Sequence, residues 1–129
     1  MPKFFNPPTV AKPSSNFSHG VTVGANARRL IMSGQVGMRL DGTVCEGIEA
    51  QAEQVFDNIL ALIEAAGMKK ADLVKIVTYC ISPDHLAKVR EVRARKLGDH
   101  APASTLLIIA ALANPAFLLE IEAEAVSEG

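Results

Sequence analysis

Apolar side chains recur at steps of three and four from Ile48 to Ala66: Ile48, Ala52, Val55, Ile59, Leu62, Ile63 and Ala66. That spacing is one face of an α-helix and predicts a helix over 48–66. Gly67 follows where a helix favours a left-handed closing residue. The period then changes. Asp72–Ile81 (DLVKIVTYCI) is rich in β-branched residues, and both alternation classes are largely apolar. Leu73, Val77, Tyr79 and Ile81 share one face of the predicted strand, and Val74, Ile76, Thr78 and Cys80 share the other. Ser82-Pro83 supplies an N-cap and a first-turn proline for a second helix ending near Leu97-Gly98, with a thinner stripe of Leu86, Val89, Val92 and Leu97.

Four further strands are expected. Phe17–Val23 and Arg29–Ser33 precede the first helix, with a turn at Asp41-Gly42. The stretch HAPASTLLIIAALANP, 100–115, has no polar side chain between Leu106 and Ala113 and reads as a strand apolar on both faces. Phe117–Val126 closes the set, with Leu119, Ile121, Ala123 and Ala125 on one face and Glu120, Glu122 and Glu124 on the other. The order β-β-α-β-α-β-β describes an α+β layer protein, a mixed sheet with two helices on one face. Its second face would stay bare. Burying half of such a strand is worth several kcal/mol at about 25 cal/mol per Å². An obligate oligomer, each copy covering its neighbour's sheet, is the expected solution.

Composition narrows the class. The 129 residues predict one domain, 1–129, with a proline-rich arm at 1–13. The chain is 49% apolar and 21% charged, which is globular and not disordered. Thirteen basic against fourteen acidic residues offer no overall field for nucleic acid or an anionic membrane. No apolar run approaches the roughly 20 residues of a membrane span, and the N-terminal segment lacks the apolar core of a secretory signal. Cys45 and Cys80 form no disulfide or zinc pattern, so a reducing cytoplasm is the expected location.

A set of short motifs in fixed order carries a resemblance. They are Ser33-Gly34-Gln35, Ala50-Gln51, Gln54, Asp57-Asn58-Ile59, Ala65-Ala66-Gly67, Asp72, Val74-Lys75, Pro102-Ala103-Ser104-Thr105 and Glu120-Ile121-Glu122-Ala123. Together they resemble the Rid family (RidA, YjgF, L-PSP endoribonuclease-like) over roughly residues 10–126. The resemblance implies a chorismate-mutase-like fold and a homotrimer with sheets facing inward, helices outside and ligand clefts between subunits. It implies hydrolysis of reactive enamines or imines to a carbonyl compound and ammonia, without cofactor or metal. Glu120 matches the family's cleft glutamate, which helps to place and activate water. Ser33, Gly34 and Gln35 match the segment lining the cleft, and Phe17 stands where the family has a tyrosine. Ser104 stands where imine deaminases of the family carry an arginine that grips the substrate carboxylate. A hydroxyl replaces a planar two-point cationic grip with one neutral hydrogen bond, a difference of about 2–5 kcal/mol in a desolvated cleft. The short 2-imino acids are therefore poor candidates for substrate, and an aminomuconate-like dienamine fits better.

Each candidate has a plainer reading. Glu120, Glu122 and Glu124 could form a solvated strand face, and Ser104 and Thr105 could bond the backbone at a strand start. No nucleophile elbow surrounds those hydroxyls. His19, His85 and His100 have no metal-ligand spacing. Lys88, Arg90, Arg93, Arg95 and Lys96 crowd the second helix, as a solvated face or as a site for anionic substrate or RNA. Aromatic stacking partners for RNA are missing there. Arg28, Arg29 and Arg39 flank Ser33-Gly34 and are open candidates to replace the absent arginine. The expected function is a cofactor-free deaminase acting through Glu120, with Ser33 to Gln35 and Thr105 polarising the substrate. The alternative is a non-catalytic metabolite-binding trimer, with RNA binding third.

Overall fold

The computed structural model describes residues 2–128; positions 1 and 129, which bound the expected domain, lie outside them. Helix α1, Ile48–Ala65, ends at Ala66 followed by Gly67 with φ 74°, the left-handed closure that the periodicity implies. Ser82 accepts the amide of Asp84 at 3.1 Å and caps a short 3₁₀ turn, Pro83–His85, that runs directly into helix α2, Leu86–Leu97.

The strands are β1 Lys3–Phe5, β2 Gly20–Thr22, β3 Arg28–Val36, β4 Leu73–Cys80, β5 Ala103–Ile108 and β6 Leu119–Ser127. β1 and β2 form a separate antiparallel ribbon, while the main sheet has the order β3-β6-β4-β5. In it β4 and β5 are parallel and the β6 pairings are antiparallel, which makes the α+β mixed sheet expected from the element order. The core lies between this sheet and the helices. Val55, Phe56, Ile59 and Ile63 meet Met32, Ile76, Cys80, Leu119, Ile121 and Ala123 there. Leu119, Ile121, Ala123 and Ala125 all sit within 4% of complete burial, while the glutamates between them face outward.

Several expectations are corrected. Lys3–Phe5, read as part of a proline-rich arm, is a strand because Gly20–Thr22 offers it a partner. For the same reason the strand expected over 17–23 shortens to the three residues that β1 can reach, with an isolated bridge from Ser18 to Ala103. The strand expected to run to Ala113 stops at Ile108. β5 is an edge strand of the main sheet, and its ladder partner there, β4, ends at Cys80 opposite Ile108, so the ladder stops at that point. Leu73, expected to share the face of Val77 and Tyr79, is completely buried in the helix-side core. A register shift between Leu73 and Lys75 turns it inward and aims Val74 toward the sheet's rim.

The outer face of the sheet keeps large apolar side chains open to solvent. Ile31 on β3 is 63% exposed and Leu107 on β5 is 44% exposed. An apolar strand face open to this degree is the feature that called for a partner copy in the sequence.

Candidate functional site

Between Met32 and Gln35 the β3–β6 register shifts, so that Ser33 and Gly34 together oppose Glu122. This is a β-bulge, and it opens the ladder beside Glu120. The Glu120 carboxylate lies against the missing side chain of Gly34: a Cβ built there would meet Glu120 Oε2 at 2.0 Å. Gln35 Nε2 donates to the Ser33 carbonyl at 3.1 Å and stiffens the bulge.

The three glutamates of β6 have different fates. Glu124 accepts from Arg29 Nη2 at 2.7 Å. Glu122 accepts the hydroxyl hydrogen bond of Tyr79. The Glu120 carboxylate has no hydrogen bond or ion pair among the described residues, and the residue is half-buried. A half-buried carboxylate with an open lone-pair set is the member of the row able to take a water.

Tyr79 records the field of this row. Its phenol is pushed above the ordinary tyrosine value, first by the hydrogen bond it donates to Glu122, then by desolvation and the negative charges of Glu122 and Glu120. The folded-state pKa is the higher one, so the bond's contribution is complete below the unfolded pKa and is lost as pH rises through the folded value. Tyr79 is the protein's one tyrosine and there is no tryptophan, so an alkaline absorbance titration reads it directly. Its midpoint should lie above that of the urea-unfolded chain, and Glu122→Gln should move it down.

The remaining expected site residues lie elsewhere in the same chain. Thr105 is in register with Val77, itself opposite Glu122, so Thr105 shares the glutamate face two strands from β6. That spacing is about 10 Å. Ser104 is in register with Ile76, a core residue, and so belongs to the opposite, helix-side face. Phe17 precedes the Ser18–Ala103 bridge and packs edge-on against His19 at 5.4 Å. One chain therefore unites Ser33, Gly34, Gln35 and Glu120 and holds Phe17, Ser104 and Thr105 apart from them.

The flanking arginines separate clearly. Arg28 donates to the Ala66 carbonyl at the end of α1, 3.0 Å away, and Arg39 bonds Thr43 Oγ1 at 3.1 Å in a surface loop. Arg29 alone of the three lines a cleft, formed between the β1–β2 ribbon and the β3–β6–β4 end of the sheet, about 370 Å³ in volume. Lys75 lines it too. Lys75 belongs to the Val74-Lys75 motif but is not among the expected site residues; a charged side chain inside an otherwise largely apolar strand is the signal that marks it.

The basic face of α2 is largely neutralised by α1. Arg95 bonds Glu53 at 3.1 Å and Glu49 at 3.0 Å, Lys96 bonds Asp57 at 2.8 Å, and Lys88 lies 3.8 Å from Glu49. Burial, with the neighbouring Arg90, holds the Arg93 guanidinium below its ordinary value. His100 and His19 contact the carbonyls of Leu73 and Ala11, each at 2.6 Å. Cys45 and Cys80 are buried free thiols, and burial pushes the Cys80 thiol up, away from nucleophilic character. Among the described residues no three His, Cys, Asp or Glu side chains converge to hold a metal, and no helix is long and apolar enough to cross a membrane.

Residues 9–127 match the family model described as Endoribonuclease L-PSP. The chain belongs to this family. Within the Endoribonuclease L-PSP family it is similar to a RutC family protein of Pyrococcus horikoshii, 33% identical over 119 residues, with 91% of each chain covered. It is also 32% identical over 114 residues to a Salmonella typhimurium protein named 2-iminobutanoate/2-iminopropanoate deaminase, covering 85% of this chain and 86% of that one. Among solved structures, a conserved Rid-family protein of Yersinia pestis superposes with TM-score 0.84 at 34% identity over 96% of this chain and 97% of that one. The YjgF product of E. coli superposes with TM-score 0.72 at 32% identity, covering 92% and 91%. The Rid/YjgF resemblance carried by the motifs and the α+β fold are thus shown.

Proposed function

We propose that the protein is a cofactor-free deaminase that hydrolyses a reactive enamine or imine to a carbonyl compound and ammonia, in clefts shared between copies of a homotrimer. The observation that carries this reading is the uncommitted Glu120 carboxylate beside the Gly34 bulge. The deaminase names of relatives such as the Salmonella protein support the reaction class.

In this chemistry the enamine first takes a proton on carbon, or the imine on nitrogen, and becomes an iminium ion. Glu120 accepts a proton from a bound water as the oxygen attacks the C=N carbon, forming a carbinolamine. That proton passes to nitrogen, the C–N bond breaks, ammonia leaves, and the hydroxyl proton is given up as the C=O bond forms. Atoms and charge balance with one water consumed. Amide groups around Ser33 to Gln35 would polarise the substrate.

The separation of Phe17, Ser104 and Thr105 from Glu120 within one chain supports a cleft completed by a neighbour. The open outer face supports the same assembly. Serine at 104 favours a substrate other than the short 2-imino acids, and a dienamine of the aminomuconate type fits. The pairing of Lys88, Arg95 and Lys96 with α1 speaks against RNA as the natural partner.

The test is ammonia release from 2-aminoacrylate generated in situ and from an aminomuconate. Wild type should turn over the aminomuconate and act poorly on 2-aminoacrylate, and Ser104→Arg should raise the second activity by about tenfold or more. No turnover of either substrate by wild type would leave a non-catalytic metabolite binder as the better reading. A sedimentation experiment showing only monomer at micromolar concentration would remove the shared cleft.

A further inference from the structure

The five basic residues of α2 divide into two groups. Lys88, Arg95 and Lys96 are each paired with an acidic side chain of α1. Arg90 and Arg93 have no ion pair or side-chain hydrogen bond among the described residues. Glu91, the one acidic residue within α2, is turned to Lys88 at 3.3 Å. The difference comes from position on the helix. At about 100° per residue, Arg90 and Arg93 lie roughly opposite Lys88 and Arg95, away from α1.

α1 packs over β3 and β6, so α2 beside it lies toward β4 and the edge strand β5. Arg93 stands four residues from both Val89 and Leu97, which are buried, so it shares their inward stripe. It is half-buried there, and a guanidinium desolvated without a partner is a cost that an anion would offset. On β5, Ser104, Leu106 and Ile108 face the same side, in register with the buried Ile76, Thr78 and Cys80. Ile108 is nevertheless 45% exposed and Leu106 only half-buried, so α2 does not close over the strand. A groove is left, with arginines on one wall and apolar side chains on the other. It lies on the helix side of the sheet, opposite the face that carries Ile31 and Glu124.

We propose that Arg93, with Arg90 at its flank, holds the carboxylate of an unsaturated acid whose carbon chain lies along Leu106 and Ile108. A guanidinium offers the two-point grip that the hydroxyl of Ser104 lacks. Naming an acid of the aminomuconate type rests on the deaminase reading, whereas the unmatched arginines do not. Inorganic phosphate suits the groove less, because it has no apolar body to lay against β5.

The experiment is an NMR titration of the isotope-labelled full chain with cis,cis-muconate, a dienedioate with no nitrogen to lose. Amide shifts should cluster at Val89 to Arg93 and Ser104 to Ile108. Arg93→Gln and Arg93→Met, the second keeping the packing of the stem, should each weaken binding by about tenfold. Arg93→Lys should retain part of it, and Arg95→Gln, whose partners lie on α1, should bind as the wild type does. Inorganic phosphate should bind at least tenfold more weakly than muconate. Absence of binding to wild type, full binding by Arg93→Met, or equal binding of phosphate would overturn the proposal. Muconate held through Arg93 by a protein that releases no ammonia would remove the deaminase reading alone. Turnover of an aminomuconate with the same KM in Arg93→Gln as in wild type would remove this inference alone.

Discussion

Gln51→Met should lower the stability of the fold by about 3–5 kcal/mol, the largest loss expected from any single polar side chain here. Gln51 is 2% exposed, on the inward side of α1. Its Nε2 donates to the carbonyls of Cys45 at 3.0 Å and Ala116 at 2.8 Å, and its Oε1 accepts the Leu118 amide at 2.8 Å. Methionine matches the volume and removes all three bonds, so two carbonyls and one N–H lose their partner in a dry place. The same bonds are what hold the segment between β5 and β6 onto the helix. Urea unfolding at one fixed protein concentration should show the midpoint fall without a change in slope, and proteolysis should open the chain near Ala116. A loss below about 1 kcal/mol would mean that water replaces the side chain without penalty.

Gly34→Ala is the second large effect, and it acts on activity rather than on folding. The added methyl would lie 2.0 Å from Glu120 Oε2, 2.7 Å from its Cδ and 2.9 Å from its Cγ, all atoms of a flexible side chain. The φ of Gly34 is not positive, so alanine itself is unstrained there. The carboxylate must swing out of the bulge while β3 stays paired. Ammonia release should therefore fall by about 10²–10⁴-fold, as for Glu120→Ala, with the unfolding midpoint nearly unchanged. Gly37 shows the opposite case, because its Cβ would meet the Cα of Gln51, helix backbone, at 2.7 Å. Substitution there disturbs the packing of α1 on the sheet. Turnover by Gly34→Ala close to wild type would separate Glu120 from the chemistry.

Much of the fold was legible residue by residue. The i, i+3, i+4 stripe of α1 and the strict alternation of Leu119 to Ala125 are local signals, and both elements form where those signals stand. The Ser82-Pro83 start and Gly67 stop are equally local, each demanded by backbone geometry. Where reading failed, the missing information was a partner. Leu106 to Ala113 is apolar throughout, but a strand needs a neighbour, and β4 ends at Cys80. Leu73 counts onto the outer face until a bulge, invisible to alternation, turns it inward.

The site divides along the same line. Glu120 and Gly34 could be named from motifs that resemble a family. That Glu120 is the glutamate left without a bond, while Glu122 and Glu124 are occupied by Tyr79 and Arg29, depends on which strands lie beside β6. The sequence by itself determined the elements, their order, and a sheet with too little polar surface to stand uncovered, because periodicity within an element records which side faces water. Only the tertiary structure decided register, bulges, strand ends and the meeting of Arg29, Lys75 and Glu124 in one cleft, because each arises from pairing between segments far apart in the chain, which no local pattern encodes.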